Sequence, residues 1–300
     1  MPDVELHECR SLEEAAALLT RYAPDVRMLA GGTDLLVDLK AGRATAAHLV
    51  SLTRVPALRG VTLADGALRV GALTTIAELI AAPVIAERWS PLLDAARHMA
   101  SPQIRNMATV GGNIASGVPC ADLPPILIVM GASVVLWSPD GPRTVPLHSF
   151  FTGPRQTARR SDELLVAVLV PEPARGSGAA YARFALREGN GIAVAAVAAG
   201  LRMKAGDVID EARIVLGAVA PIPKQVASAT EILAGKSADD ADAIDAACDA
   251  AMRAAEPISD IRGSAEYRRE LVGVLTRWAL SAAAERAGGY APAGSTGGSE

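Results

Sequence analysis

Two Gly-Gly pairs, eighty residues apart, constrain this 300-residue chain more than any other feature. Gly31-Gly32 follows the apolar run Val26 to Ala30 and leads into Thr33-Asp34. Gly111-Gly112 lies within Gln103-Ile-Arg-Asn-Met-Ala-Thr-Val-Gly-Gly-Asn-Ile114. A glycine pair lets the backbone come close to a ligand and turns successive N–H groups into one concavity that suits anionic oxygen. Thr33, Thr109 and Asn113 add side-chain donors beside those amides. Two such loops suit one diphosphate gripped from both sides, although an ordinary tight turn also satisfies either pair alone. Other nucleotide signatures fail. Gly189-Asn-Gly-Ile-Ala-Val194 ends in valine and runs into a predicted strand, and Gly235-Lys-Ser237 lacks the earlier glycine, where Thr230 stands.

Composition narrows the class. Half the residues are apolar, 21% are charged and the net charge is -4, so nothing recommends nucleic acid or an anionic membrane as partner. Cys9, Cys120 and Cys248 lie far apart without a CxxC pair. They cannot supply an iron–sulfur cluster or an all-cysteine zinc site, and an odd number suits a reducing compartment. The four histidines (His7, His48, His98, His148) form no HExxH, and no metal site is expected. The acidic start of the chain lacks the apolar core of a secretory signal. The run Leu123 to Trp137 contains Pro124-Pro125 and is too short to span a bilayer, so a cytoplasmic location is expected.

The pattern along the chain predicts mixed helix and sheet. Ser11 and Glu14 form a capping box for a helix over Leu12 to Tyr22. Val26 to Ala30 and His48 to Leu52 read as strands, with a helix over Thr33 to Lys40 between them. Alternating runs around Asp65-Gly66 predict a hairpin, Thr74 or Thr75 caps a helix ending before Pro83, and Ser90-Pro91 opens another. Ser101 to Pro119 reads as a loop, Ile126 to Trp137 as β structure, and Leu164 to Val170 as a strand. Pro171 to Gly178 reads as a linker. Three β runs follow (Tyr181 to Leu186, Ile192 to Met203, Ala212 to Val219), then helices over Val226 to Leu233, Ala238 to Ala255 and Ser264 to Ala287. Leu271, Val274, Leu275, Trp278 and Ala282 form the apolar stripe of the last, which places Trp278 in the core.

Other residues carry weaker signals. Arg105 suits a phosphate contact or a structural ion pair equally. Arg155, Arg159 and Arg160 read as a solvated basic loop or a partner contact, and Asp239, Asp240, Asp242, Asp245 and Asp249 as the wet face of a helix. Cys120 suits a small buried residue better than a redox-active thiol.

Ala30-Gly-Gly-Thr-Asp-Leu-Leu36, the stretch Gln103 to Ile114 and Cys120-Ala-Asp-Leu-Pro-Pro125 come in the order and spacing of one family. With Glu163 to Pro171 and Tyr181 to Ala193, they make the chain resemble, over nearly its whole length, the FAD-binding medium subunits of molybdenum hydroxylases, the xanthine dehydrogenase and aerobic carbon monoxide dehydrogenase type. The resemblance implies an α+β fold: a two-subdomain, PCMH-type FAD-binding domain followed by a C-terminal domain of antiparallel sheet plus helices. The corresponding boundaries are 1–55, 56–174 and 178–287, with a flexible tail over 288–300.

Carried over by position, the resemblance implies that Ala30, Gly31, Gly32, Thr33 and Asp34 form one pyrophosphate loop, with Leu29 and Leu35 on the flavin side. Thr109, Gly111, Gly112 and Asn113 would form the other. Asp122 would accept a hydroxyl towards the adenosine half of FAD, Leu165 would pack near the flavin, and Ala100 and Ile104 would be further contacts. Arg183 stands where relatives often carry lysine near the isoalloxazine. Met99 stands where some carry an aromatic ring, a departure that affects how the flavin face is covered. FAD would be non-covalent, and no side chain acts as a catalyst in the usual sense. Molybdopterin and [2Fe–2S] centres would belong to a large and a small partner subunit, in heterotrimers that pair. The flavin subunit would take electrons from the clusters and pass them to NAD, a quinone or dioxygen. A self-contained FAD-dependent oxidase of the wider superfamily is the alternative, for which the C-terminal region is small.

Overall fold

The chain was analysed as a computed structural model, which describes residues 4–187, 189–204 and 207–288. Of the predicted tail over 288–300, residues 289–300 lie outside the described residues, and Gly288 ends the last helix.

The first unit alternates strand and helix: β1 (Glu5–Glu8), α1 (Leu12–Tyr22), β2 (Val26–Leu29), α2 (Leu35–Lys40) and β3 (His48–Ser51). Its three strands are parallel in the order β1-β3-β2. Helix α1 starts at the predicted cap, where the Ser11 hydroxyl accepts the Glu14 N–H. It buries Ala15, Ala16 and Leu19 with Val26, Val50 and Leu52 on one face of the sheet, and Leu39, Leu49 and Ala46 form a smaller core on the other. Strand β1 was not foreseen, because Glu-Leu-His-Glu at a sheet edge lacks the apolar run by which a short parallel strand is read.

The second unit begins with the predicted hairpin β4 (Val61–Ala64) and β5 (Ala67–Gly71), turned by Asp65-Gly66 at positive φ. Six short helices follow: α3 (Ile76–Ala81), α4 (Pro83–Arg88), α5 (Pro91–His98), α6 (Pro102–Arg105), α7 (Val110–Ala115) and α8 (Leu123–Val129). Strands β6 (Ser133–Ser138), β7 (Gly141–Pro146), β8 (Phe151–Gly153), β9 (Gln156–Thr157) and β10 (Leu164–Pro171) complete it. The main antiparallel sheet has the order β4-β5-β10-β6-β7.

Two expectations are corrected here. Ser101 to Pro119 is not a loop: Ser101 and Thr109 each cap a short helix. The run Ile126 to Trp137 begins as helix. Pro124 and Pro125 fall in the first turn of α8, where the missing N–H groups would lack an acceptor anyway, so the prolines start that helix. All seven of its residues are buried, which explains why no amphipathic period marks it.

The third unit is the antiparallel sheet β11 (Ser177–Ala185), β12 (Ala193–Lys204), β13 (Val208–Gly217) and β14 (Lys224–Gln225), with α9 (Ala227–Leu233), α10 (Ala241–Ala254) and α11 (Ala265–Gly288) on one face. Helix α8 covers the other face, at Gly200 and Gly217. A Cβ at either would lie 2.5 Å from Val129 Cγ1 or 2.8 Å from Pro125 Cγ. Trp278 is 62% exposed, and Val274 is exposed too, against the predicted stripe. The buried face of α11 runs instead through Arg268, Val272, Leu275, Ala279 and Ala283. Small residues let the helix approach the sheet so closely that a Cβ at Gly178 would overlap the Ala283 carbonyl, and the indole is left outside.

Candidate functional site

The two diglycine segments, distant in sequence, meet. A Cβ at Gly31 would overlap the Met107 carbonyl and lie 3.2 Å from the Ala108 Cα, so only glycine permits this approach of the first loop to the chain entering α7. Gly32 adopts φ +72° and turns the chain from β2 into α2. Arg155 holds the pair together from the second unit. Its Nη1 donates to Asp38 Oδ2 at 2.7 Å, and its own N–H is fixed 2.8 Å from the Gly117 carbonyl. Burial pushes the Asp38 carboxyl up, but Arg43 and Arg155 outweigh it and hold the group below its ordinary value.

The loops differ in what their amides do. Among the described residues, the N–H groups of Ala30, Gly31, Gly32, Thr33, Asp34 and Leu35 find no acceptor. In the second loop the four amides from Val110 to Asn113 are engaged: Val110 N–H with Thr74 O, Gly111 N–H with Ala72 O, Gly112 N–H with Thr109 Oγ1, and Asn113 N–H with Thr109 O. The two loops therefore differ: the first carries a row of unengaged amides, and the second is a capped helix start with the Asn113 side chain beside the cleft. Its Oδ1 is buried without a partner, and its Nδ2 meets only the Met99 sulfur, at 4.0 Å.

A cleft of about 170 Å³ joins the two loops, with Asp34, Met99, Ala100, Asn113, Cys120 and Asp122 on its walls and Asn190 to Ile192 of the third unit at its rim. Asp34 stays open to solvent, yet the surrounding protein displaces enough water to push its carboxyl up, and Arg155 counters this only in part. Asp122 is buried. Burial pushes it up as well, against the Arg183 charge and hydrogen bonds to Oδ1 from Tyr181 (2.7 Å) and Arg183 (2.8 Å). Burial also raises the Cys120 thiol, with Asp122 adding to it, so Cys120 is kept neutral and unreactive.

The other expected residues spread outward. Leu29 and Leu35 pack with Leu39 beneath the first loop. Ala100, at φ +45°, gives its carbonyl to the Asn190 N–H. Ile104 packs against the large core, and Leu165 is buried in β10 opposite Leu136, so neither reaches the cleft wall. Arg183 is engaged at both terminal nitrogens, Nη1 with Asp122 and Nη2 donating 2.6 Å to the Gly191 carbonyl. It holds Asp122 and the rim rather than offering a free cation.

Arg105 is structural, donating to the carbonyls of Arg97 and Met99. The basic loop is solvated and paired at once: Arg155 and Arg160 stay more than half exposed while meeting Asp38 and Glu163. Sequence reasoning missed Tyr181 as the partner of Asp122, and Asn190-Gly191 as the rim. The signal was the Gly189-Asn-Gly run, set aside because it failed as a nucleotide motif. A larger cleft of about 930 Å³ opens between the second and third units, beside Arg88, Arg213 and Arg286, and none of the expected site residues lines it.

A strand–helix unit with a row of unengaged amides, joined to an antiparallel unit that closes the cleft, is an architecture suited to a dinucleotide. Residues 2–173 match the family described as the FAD binding domain in molybdopterin dehydrogenase, and residues 179–283 match the CO dehydrogenase flavoprotein C-terminal domain. The chain belongs to the FAD-binding medium subunits of the molybdenum hydroxylases, a family of oxidoreductases. It is 38% identical to the carbon monoxide dehydrogenase medium chain of Hydrogenophaga pseudoflava, over 94% of this chain and 97% of the relative. It is 35% identical to a putative xanthine dehydrogenase FAD-binding subunit of Escherichia coli K12, over 94% and 97%. The solved carbon monoxide dehydrogenase from H. pseudoflava superposes with a TM-score of 0.92 at 37% identity, covering 95% of this chain and 98% of that one.

The residues present fit the cofactor. Six free amides suit a diphosphate, and the unpartnered Asn113 Oδ1 and the Asp122 carboxylate suit its hydroxyl and amide donors.

Proposed function

We propose that this chain is the flavin-carrying electron-transfer subunit of a molybdenum hydroxylase complex. In this reading a small partner with [2Fe–2S] clusters delivers electrons, a large molybdopterin partner performs the hydroxylation, and NAD, a quinone or dioxygen receives the electrons at the end. Bound FAD supplies the exchange between one-electron and two-electron carriers. The protein's own part is positional. Residues 30–35 face the diphosphate with N–H groups, Asn113 and Asp122 accept from the cofactor, Met99 packs beside it, and the Tyr181–Asp122–Arg183 cluster ties the cleft to the third unit.

The observation that carries this reading is the row of unengaged amides beside an orphaned buried acceptor, in a chain whose relatives are named as medium chains and FAD-binding subunits. Among the described residues no histidine lines the cleft, and the Cys120 thiol is held neutral, which suits electron relay better than a self-contained oxidase.

The test is purification of the untagged chain with its natural companions. The expected result is a flavin spectrum with one FAD per chain, a large and a small co-purifying chain, and reduction of the flavin only when those chains are present. Flavin reduction by an organic substrate in the isolated chain would overturn the electron-transfer reading in favour of an oxidase.

A further inference from the structure

Three side chains far apart in sequence converge at the edge of the first unit. Glu5 and His7 alternate onto one face of β1, and His48 lies opposite Glu5 in the neighbouring parallel strand β3. His7 Nε2 and His48 Nδ1 are 3.1 Å apart; His48 Nδ1 is 3.4 Å from one Glu5 oxygen, and His7 Nε2 is 3.9 Å from the other. The Tyr22 ring stacks on both imidazoles, with centroids 4.6 Å from His7 and 3.9 Å from His48, and so fixes their planes. The imidazole side chains are 13% and 22% exposed, while Glu5 opens to solvent.

We propose that Glu5, His7 and His48 bind a zinc ion. Two imidazole nitrogens aimed at each other can share one proton at most, whereas a cation between them satisfies both lone pairs and the carboxylate. Tetrahedral zinc with ligands at about 2.0–2.1 Å sets its donor atoms about 3.3–3.4 Å apart, close to the spacing observed here. Two neutral imidazoles and one carboxylate form a set that suits zinc better than magnesium or calcium, which prefer all-oxygen ligation. Water on the Glu5 side completes the coordination. The ion would staple the four-residue edge strand β1 to β3.

The site lies where β3 begins, and the glycine loop lies where the parallel strand β2 ends. The two are at opposite ends of the sheet, so zinc and FAD binding are separable.

The experiment is equilibrium dialysis of the full-length, chelator-treated chain against micromolar zinc chloride, with metal and FAD content measured together. The wild type and His98→Gln are expected to bind one zinc each. Loss of even a supporting partner around a metal costs about 10- to 100-fold in affinity, so His7→Ala, His48→Ala and Glu5→Gln, which each remove a direct ligand, should weaken binding by about 100-fold or more while FAD is retained. Cobalt substitution should give the visible absorption of a four- or five-coordinate site in the wild type and not in His48→Ala. If the histidine variants fail to fold, Glu5→Gln at the exposed edge decides. No zinc bound by the wild type, or zinc bound equally well by Glu5→Gln, overturns the proposal.

Discussion

The two diglycine segments carry the same dipeptide to opposite ends. In the first, Gly31 allows backbone to lie on backbone at Met107, Gly32 supplies a left-handed turn, and the amides of residues 30–35 are left unengaged. In the second, Gly111 has ordinary φ and is buried against Ala72, and each amide from Val110 to Asn113 is bonded within the protein. A Gly-Gly pair in sequence thus marks close approach, but whether the approaching body is a ligand or another strand depends on where the neighbouring N–H groups go. In the function proposed above, the first loop takes the anion and the second supports it.

The largest effect should come from breaking the contact between the loops. In Gly31→Ala the new methyl group overlaps the Met107 carbonyl, so backbone must move. The expected loss is about 3 kcal/mol of stability, and FAD affinity should fall more than about tenfold, or about 1.4 kcal/mol. Thermal denaturation and a flavin titration check both. Gly111→Ala separates the two roles. Its Cβ would lie 2.6 Å from that of Ala72, costing about 1–3 kcal/mol of stability, but a loop that only supports should leave FAD affinity within about twofold in protein that still folds. A folded Gly111→Ala variant with FAD lost would erase the distinction between the loops.

Arg155 sharpens the comparison by charge. It crosses from the second unit to Asp38 below the first loop, and its removal leaves that buried carboxylate with Arg43 alone. Arg155→Ala should cost about 1 kcal/mol, a modest figure because the guanidinium is half exposed, and FAD should dissociate faster by stopped flow. The sign with pH follows from Asp38. Its folded value lies below the ordinary 3.8, so its contribution is complete above that pH and is lost as pH falls through the lower, folded value. Glu163, held by Arg143 and lowered from 4.5 to about 2, loses its contribution over the same acid range. Urea denaturation between pH 6 and about pH 3 should show a steeper loss of stability in the wild type than in Glu163→Gln.

The sequence made much of this legible where local rules are strict. Asp65-Gly66 between alternating runs marked its hairpin, Ser11 and the Thr74-Thr75 pair marked helix starts, and the ordered motifs carry Asp34, Asn113 and Asp122, which line one cleft. What stayed hidden depends on accounting that crosses the chain. The Val110 and Gly111 amides are taken by Thr74 and Ala72, 36 and 39 residues upstream, which no local pattern reports. The charge of Arg183 is taken by Asp122, and the pairing of β1 with β3 is what brings His7 to His48. Trp278 misled for a related reason: an alanine- and glycine-lined face packs closer to a sheet than a stripe of large side chains can.

The smallest expected effect bears on Thr109, which sequence reasoning placed among the ligands of the diphosphate. Its hydroxyl oxygen accepts the Gly112 N–H at 3.0 Å, as a helix cap does, so its acceptor capacity is turned inward. Thr109→Ala should therefore cost about 1 kcal/mol of stability, and Thr109→Ser should restore it. FAD affinity should hardly change, because loss of the hydroxyl releases the Gly112 amide, and that N–H then becomes available to the same anionic oxygen a threonine donor would have met. If calorimetry instead shows FAD weakened more than about tenfold in Thr109→Ala, with stability unchanged, the second loop grips the cofactor through its hydroxyl, and its likeness to the first loop is functional after all.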